Sequence, residues 1–334
     1  METLQIYGVE FLVTLQSITL PALEWPMRLV TFFGEEMFYM IAGTFIYWCL
    51  SRELGFRLLI VLLLTNMVNL MGKWALHSPR PYWFDPDVRG LVGETSYGPP
   101  SGHSQVPMST WAYAAAYLAR RGVAYVWPVA LFIVFLIGFS RMVLGVHFPH
   151  ALIFGWVLGA LVAFVCWKLT ARAGEFFFGG REARRWAVAL VAPALALAVM
   201  VTAHFVFLSG VDPLRWAANA AVSQPDHTID PHSWKSAISS AGALAGVLVA
   251  AILITRTGTV GVSGPWPRRI ARFGLGFGVL IAIQIGLSAQ EPKGEDVVAL
   301  AFRFLRYFTI LLWAMWLAPL VFARVGLAEY ETDA

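Results

Sequence analysis

The chain has 334 residues, 58% hydrophobic and only 13% charged, with a formal net charge of +4 and a mean hydropathy of +0.67. Soluble domains carry roughly 25% charged residues, so the composition excludes a water-soluble enzyme and points to an all-α integral membrane protein. The basic balance is that of a membrane protein with Lys- and Arg-rich loops and gives no ground for a nucleic-acid partner.

Residues 1–34 come first and are mixed, their apolar residues broken by Glu2, Glu10, Pro21, Glu24, Pro26 and Arg28. This pattern predicts one or two interfacial or re-entrant helices. With no basic leading segment, it does not resemble a cleaved signal peptide. Nine spanning helices are expected next, at about residues 36–50, 56–76, 103–119, 124–140, 151–170, 186–208, 235–255, 272–289 and 299–323. Most approach the ~20 residues that cross a hydrocarbon core; the first and third are short. Cys49 and Cys166 fall within apolar runs and read as small core residues rather than a disulfide pair.

Three segments follow from this pass. Residues 1–34 form the N-terminal helices, 35–172 a membrane core that carries three polar clusters at helix ends, and 173–334 a C-terminal set of helices with no comparable constellation. The last segment is rich in small residues, among them Gly242, Ala245, Gly246, Gly274, Gly276 and Gly278, which permit close helix approach in lipid. Lys and Arg set the orientation. Arg52, Arg57, Arg120, Arg121, Lys168, Arg172, Arg181, Arg184, Arg185, Arg256, Arg268, Arg269, Arg272 and Arg324 fall in alternate loops, which are then cytoplasmic. The N-terminus is expected outside, the C-terminus inside, and all the polar clusters on the non-cytoplasmic face.

The first cluster holds Lys73 and, seven residues on, Arg80 between Pro79 and Pro81. Either cation alone reads equally as a snorkelling side chain at a helix end. Together they suit an anion, because Arg makes two-pronged contacts to phosphoryl oxygens and Lys adds a point charge. The second cluster is Pro100, Ser101, Gly102 and His103 before an apolar run. Ser101 is a plain N-cap on the simplest reading. The same geometry presents free N–H groups to an anion, with Gly102 allowing close backbone approach and His103 placed to protonate a leaving oxygen. The third is Ser140 and Arg141, then His147. A His at a helix end is commonly just a satisfied polar group, but neutral imidazole is also a competent nucleophile toward phosphorus, with Arg141 beside it to stabilise developing charge.

The order, spacing and identity of these three clusters resemble the signature motifs of the type 2 phosphatidic acid phosphatase (PAP2) superfamily, over about residues 56–170. The resemblance implies a membrane phosphatase with His147 as nucleophile and His103 as general acid and later base. It implies that Lys73, Arg80, Ser101, Gly102 and Arg141 bind phosphate, with no metal and no other cofactor. Many members carry an Asp four residues after the nucleophile; here that position is Ala151, which leaves open what orients the ring, with Glu35 or Glu36 as candidates. The stretch from His147 to His150, and Lys73 to Trp83, are similar to the glucose-6-phosphatase branch.

The expected substrate is a phosphate monoester or diphosphate, of a lipid such as phosphatidate or an isoprenyl (undecaprenyl) carrier, at the outer face of a bacterial inner membrane. A sugar phosphate, a phosphotransfer to another acceptor, and a non-catalytic phospholipid-binding or transport role are the alternatives. The bilayer and a phosphorylated lipid or small phosphate ester are the expected partners, and oligomeric state is left open. Of the remaining polar residues, Asp226, His227, Asp230 and His232 read as a solvated loop with metal binding as the lesser reading. His77 and His150 are candidate pocket residues. Asp85, Asp87 and Glu94 are assigned to a loop shaping substrate access, and Asn66 and Gln284 to hydrogen bonds between helices.

Overall fold

The computed structural model describes residues 2–208 and 210–331. It is all-helical: fourteen α-helices, and among the described residues a single isolated bridge between Val260 and Tyr330 in place of any strand. Contacts divide the chain into two compact units. Unit 1 comprises Met1–Tyr39, Leu64–Trp167 and Val201–Ser233; unit 2 comprises Met40–Leu63, Lys168–Met200 and Trp234–Ala334.

The N-terminal helices of unit 1 are α1 (Glu2–Thr19) and α2 (Glu24–Phe32), bent by 112° at their junction, so the expected interfacial or re-entrant segment is a helical pair. In α1 the buried positions are Gln5, Gly8, Leu12 and Gln16, spaced to form one face of a helix. That face is partly polar, while Leu4, Ile6, Tyr7, Phe11 and Ile18 point outward. Such inversion suits a lipid-facing helix, whose polar groups must find partners inside the protein. Gln5 Nε2 donates to Ser78 Oγ at 2.8 Å. The Gln16 amide donates to the Arg89 and Val143 carbonyls at 2.9 and 3.1 Å and accepts from the Arg89 N–H at 3.1 Å.

Four helices carry the site residues of unit 1. They are the C-terminal part of α4 (Arg52–Leu76), then α6 (Gly102–Ala119), α7 (Val126–Val143) and the N-terminal part of α8 (Pro149–Phe178), with the short α5 (Pro81–Phe84) between α4 and α6. Lys73 lies in the last turn of α4, His103 in the first turn of α6, Arg141 in the last turn of α7, and His147 just before α8. Alternating chain direction therefore brings all three motifs to one end of the helices, and puts Arg120 and Arg121 at the other. Helix α3 (Glu36–Phe45) leads out of unit 1; α9 (Glu182–Phe207) and α10 (Leu214–Ser223) bring the chain back.

Unit 2 is built around α11 (Lys235–Thr257), α12 (Trp266–Gln290), α13 (Val297–Leu312) and α14 (Ala318–Arg324). Two π-helical turns, Ile46–Leu50 and Trp313–Leu317, meet in its core. Wider π turns leave carbonyls without ordinary helical partners, and here Tyr47 Oη donates to Met315 O at 2.9 Å and Trp48 Nε1 to Ala314 O at 2.8 Å. Of the small residues, Gly242 and Gly246 lie against the α13 backbone, where a Cβ would stand 2.4 Å from Phe304 O and 2.6 Å from Phe308 O. Gly276 lies against Trp48 and Phe322, whereas Gly274 and Gly278 face open space. The small-residue rule thus accounts for three of these positions. Gln284 Oε1 has no partner among the described residues, unlike the hydrogen bond expected of it.

Seven described helices are long and apolar enough to cross a membrane, or up to eight if the bent α1–α2 pair counts as one span, rather than the nine expected. The difference falls on the two short candidates. Residues 36–50 make a short apolar helix ending in a π turn. In α6, Ser104, Gln105, Ser109 and Thr110 are buried and lower the apolar character of a helix that serves the site. Outward-facing Phe154, Val157, Leu161 and Phe164 on α8, and Leu190, Val191 and Leu195 on α9, form the apolar surface a bilayer solvates.

Gln16→Leu, which leaves the Arg89 and Val143 carbonyls without their donor, is expected to destabilise the detergent-solubilised protein by about 1–3 kcal/mol. A thermal melt against the parent checks this, and an unchanged melt would remove α1 from the support of the site.

Candidate active site

The site begins with a local fact about α4. Asn69 lies one turn before Lys73 and donates to Pro100 O at 3.1 Å and to Gln105 Oε1 at 2.8 Å. The α4 terminus is thereby tied to the start of α6. Lys73 Nζ then donates to Tyr97 O at 2.6 Å and Ser96 Oγ at 3.0 Å. Arg80, extended at the N-cap of α5, is 1% exposed and uses its whole fork. Nε donates to Ser96 O at 2.7 Å, Nη1 to Val146 O at 3.2 Å and His147 Nε2 at 3.1 Å, and Nη2 to Glu94 Oε2 at 3.0 Å. Arg141 donates to Thr31 Oγ1 at 2.7 Å through Nη1 and to Glu94 Oε1 through Nη2.

A guanidinium only donates, so His147 Nε2 must accept. That fixes the ring as neutral, with its proton on Nδ1 and its Nε2 lone pair turned toward the cations. Burial first, and then the charges of Arg80, Arg141, Lys73 and His103, hold its pKa well below the usual imidazole value. Nδ1 has no hydrogen-bond partner among the described residues. Neither Glu35 nor Glu36 orients the ring, which corrects that expectation: it is Nε2, gripped by Arg80, that fixes it. Ala151, where many relatives carry Asp, is fully buried, and its carbonyl accepts from the Ser101 N–H at 3.0 Å, docking α8 on the start of α6.

Ser101 is fully buried and stands at the N-cap position of α6, but its side chain makes no capping bond. Among the described residues its Oγ is without a partner, as is Nε2 of His103. The plain N-cap reading of Ser101 is therefore not what the hydroxyl does. A Cβ at Gly102 would only touch Asn69 Oδ1 at 3.4 Å, whereas one at Gly34 would strike His103 Cδ2 at 2.6 Å. Gly34, between α2 and α3, is the glycine that lets the chain close over His103.

The structure thus brings Lys73, Arg80, Arg141 and His147 into one hydrogen-bonded group, with Ser101, Gly102 and His103 at the adjoining helix start. Its centre is a residue sequence reasoning put elsewhere. Glu94 bridges Arg80 and Arg141 and sets one negative charge among three positive ones. Burial raises the pKa of its carboxyl, but Arg80 and Arg141, followed by His103 and Lys73, outweigh this and hold it below the usual carboxylate range. Buried cations need a partner, and two positive charges remain unbalanced, the complement of a phosphate dianion. Thr31 and Ser96 were also missed. Asp85 and Asp87 belong to a turn in which the Asp87 N–H bonds Asp85 Oδ1. His150 stacks on Phe148, with centroids 5.2 Å apart, and His77 bonds Asp212.

Residues 54–175 match the PAP2 superfamily model, and residues 238–330 match the PAP2 superfamily phosphatase, transmembrane extension. The chain belongs to the PAP2 superfamily and is a multi-span membrane phosphatase of that type. It is 27% identical over 300 residues to glucose-6-phosphatase 3 of Bos taurus, covering 80% of each chain. It is 24% identical to an undecaprenyl-diphosphatase of Sulfolobus acidocaldarius, covering 48% of this chain and 76% of that one. Among solved structures, a transmembrane PAP2-type phosphatidylglycerolphosphate phosphatase from Bacillus subtilis aligns with a TM-score of 0.45 and 24% identity over 52% of this chain and 88% of that one.

Two outcomes are expected of Glu94→Gln. Removing the internal anion should tighten inhibition by inorganic phosphate by about tenfold, the worth of one charge-assisted hydrogen bond, and should destabilise the ligand-free protein by about 1.5–3 kcal/mol. A depressed carboxyl stabilises fully above the ordinary Glu value of about 4.3 and loses that contribution as pH falls through the folded value. The melting difference between parent and variant should therefore stay flat from neutral pH down to about 5.

Proposed function

We propose that the chain hydrolyses phosphate esters through a phosphohistidine on His147, without a metal in the reaction. The observation that carries this reading is the Arg80–His147 contact beside Glu94. Two arginines already grip an anion, and the nucleophilic lone pair is held at its edge. Substrate phosphate displaces the Glu94 carboxylate and takes the forks of Arg80 and Arg141, the Lys73 ammonium, the Ser101 hydroxyl and the N–H groups at Gly102. His147 Nε2 attacks phosphorus, an N–P bond forms, and the P–O bond to the leaving alcohol breaks as His103 gives that oxygen a proton. Water then attacks phosphorus while His103 takes its proton, and the N–P bond breaks to release inorganic phosphate.

We infer that the preferred substrate is a small phosphate monoester of the sugar-phosphate kind. The likeness to glucose-6-phosphatase 3 over 80% of both chains supports this. A lipid phosphate or isoprenyl diphosphate, the expectation from sequence, is the second reading and is favoured by the Sulfolobus relative. The site is assigned to the non-cytoplasmic face. The basic residues Arg52 and Arg57, Arg120 and Arg121, and Arg172 to Arg185 lie at or just beyond the ends of α4, α6 and α8 away from the motifs, and basic residues at such helix ends favour the cytoplasmic side.

The test is phosphate release by detergent-purified protein in EDTA on glucose 6-phosphate, phosphatidic acid, an isoprenyl phosphate and an isoprenyl diphosphate. Release should be fastest on the sugar phosphate, fall to background in His147→Ala, and fall by about 10²–10⁴ in His103→Ala, the usual share of a general acid. Activity that survives His147→Ala or needs an added metal would sink the reading. The pH profile supplies a second check. With His147 held neutral, the acid limb of kcat/KM, corrected for substrate ionisation, should fall below the ordinary imidazole value of about 6.5.

A further inference from the structure

Apart from the anion site, unit 1 gathers a second set of chemical groups from three distant stretches of chain. His77 follows α4, Asp212 lies between α9 and α10, and His232 precedes α11. His77 Nε2 is 2.7 Å from Asp212 Oδ1, and His232 Nε2 is 3.3 Å from Asp212 Oδ2. All three ligand atoms lie within 4.8 Å of one another. Tyr97 adds its hydroxyl, 2.8 Å from Asp212 Oδ1 and 2.9 Å from His232 Nε2.

We propose that His77, Asp212 and His232 form a binding site for a divalent transition metal of the zinc type, with the Tyr97 hydroxyl orienting Asp212. Both imidazoles turn the same nitrogen toward one carboxylate, as ligands around a shared centre do. Zn–N and Zn–O bonds of about 2.0–2.2 Å in a tetrahedron place ligand atoms about 3.3–3.6 Å apart. His232 Nε2 stands at that spacing from Asp212 Oδ2, at 3.3 Å, and His77 Nε2 is closer to the other carboxylate oxygen, at 2.7 Å, so side-chain rotations that present one carboxylate oxygen to both imidazoles complete the set. Two imidazoles with one carboxylate select zinc-like ions over Mg²⁺ or Ca²⁺, which prefer all-oxygen shells. The side chains keep 28%, 18% and 38% of their surface exposed, so an ion has a way in.

The backbone supports the assignment. His77 holds φ +40, a left-handed conformation that costs a non-glycine residue energy and clusters at functional positions. His77 also lies four residues beyond Lys73, and the Tyr97 carbonyl accepts from Lys73 Nζ at 2.6 Å. A bound ion would tie the connections at Asp212 and His232 to the end of α4 that carries the phosphate-binding lysine. It takes no part in the P–O chemistry. Of the loop residues named from sequence, His232 alone enters this set; Asp226, His227 and Asp230 do not.

The test uses the full chain in detergent, stripped with EDTA and freed of chelator, and needs no substrate. Its result is therefore independent of the phosphatase reading. Calorimetric titration with Zn²⁺ should show one equivalent bound per chain and none of Mg²⁺, and Co²⁺ should give the visible absorption of a four-coordinate nitrogen–oxygen site. Asp212→Asn and His232→Gln should each weaken Zn²⁺ by more than the ~10–100-fold typical of losing an outer hydrogen-bonding partner, while His227→Gln leaves it unchanged. A parent that binds no stoichiometric Zn²⁺ overturns the proposal whatever the variants do and leaves a hydrogen-bonded network only. Binding that persists unweakened in Asp212→Asn overturns it equally.

Discussion

The structure of unit 1 depends on one constraint: three cations are buried together at one end of a helix bundle and must be held apart, aimed and compensated. Arg80 resolves most of it. Its five-donor fork spans the Ser96 and Val146 carbonyls, His147 and Glu94, so one side chain fixes the tautomer of His147 and the connecting loop and, in the proposed mechanism, the position of the phosphate. A lysine could not do this, because an ammonium lacks the planar fork. Glu94 completes the arrangement as a resident anion, and catalysis on this account is an exchange of one anion for another.

The rest of unit 1 serves that end of the bundle. Asn69 locks α4 to the start of α6, the Ala151 carbonyl locks α8 to it, Thr31 of α2 holds Arg141, and Gln16 of α1 bonds the backbone at Arg89 and at Val143, the last residue of α7. Each is a polar contact made inside a protein whose outer surface is apolar. In a membrane the apolar effect discriminates weakly between helix neighbours, and such inward hydrogen bonds decide which helix meets which. The hydrogen bonding that assembles the site is thus a product of the same inverted patterning that makes the chain a membrane protein.

Much of this was legible in the sequence for a physical reason. Charges are rare in apolar runs because they are costly there, so Lys73, Arg80, Arg141 and His147 stood out, and their positions at helix ends placed them together. The long spans were readable from run length alone. Glu94 was not legible. It sits in a loop with Asp85 and Asp87, and nothing in residue type separates a carboxylate that bridges two buried arginines from one that caps a turn. Ser101 looked like an N-cap because the residue suits both roles; its hydroxyl without a partner is visible only in three dimensions. Helix α6 was read as a span because its flanking apolar residues hide the inward Ser104, Gln105 and Ser109. The joining of His77 to Asp212 and His232 needed the path of α9 and α10, which spacing does not encode.

The central claim is that Arg80 presents Nε2 of His147, and no other atom, to phosphorus. The direct measurement is tandem mass spectrometry of protein quenched in alkali during turnover, with isomer-specific detection of the labile phosphohistidine. The account predicts phosphate on Nε2 of His147 and its disappearance in Arg80→Ala. Phosphate on Nδ1, or on another residue, or steady release with no phosphoprotein formed, would contradict it.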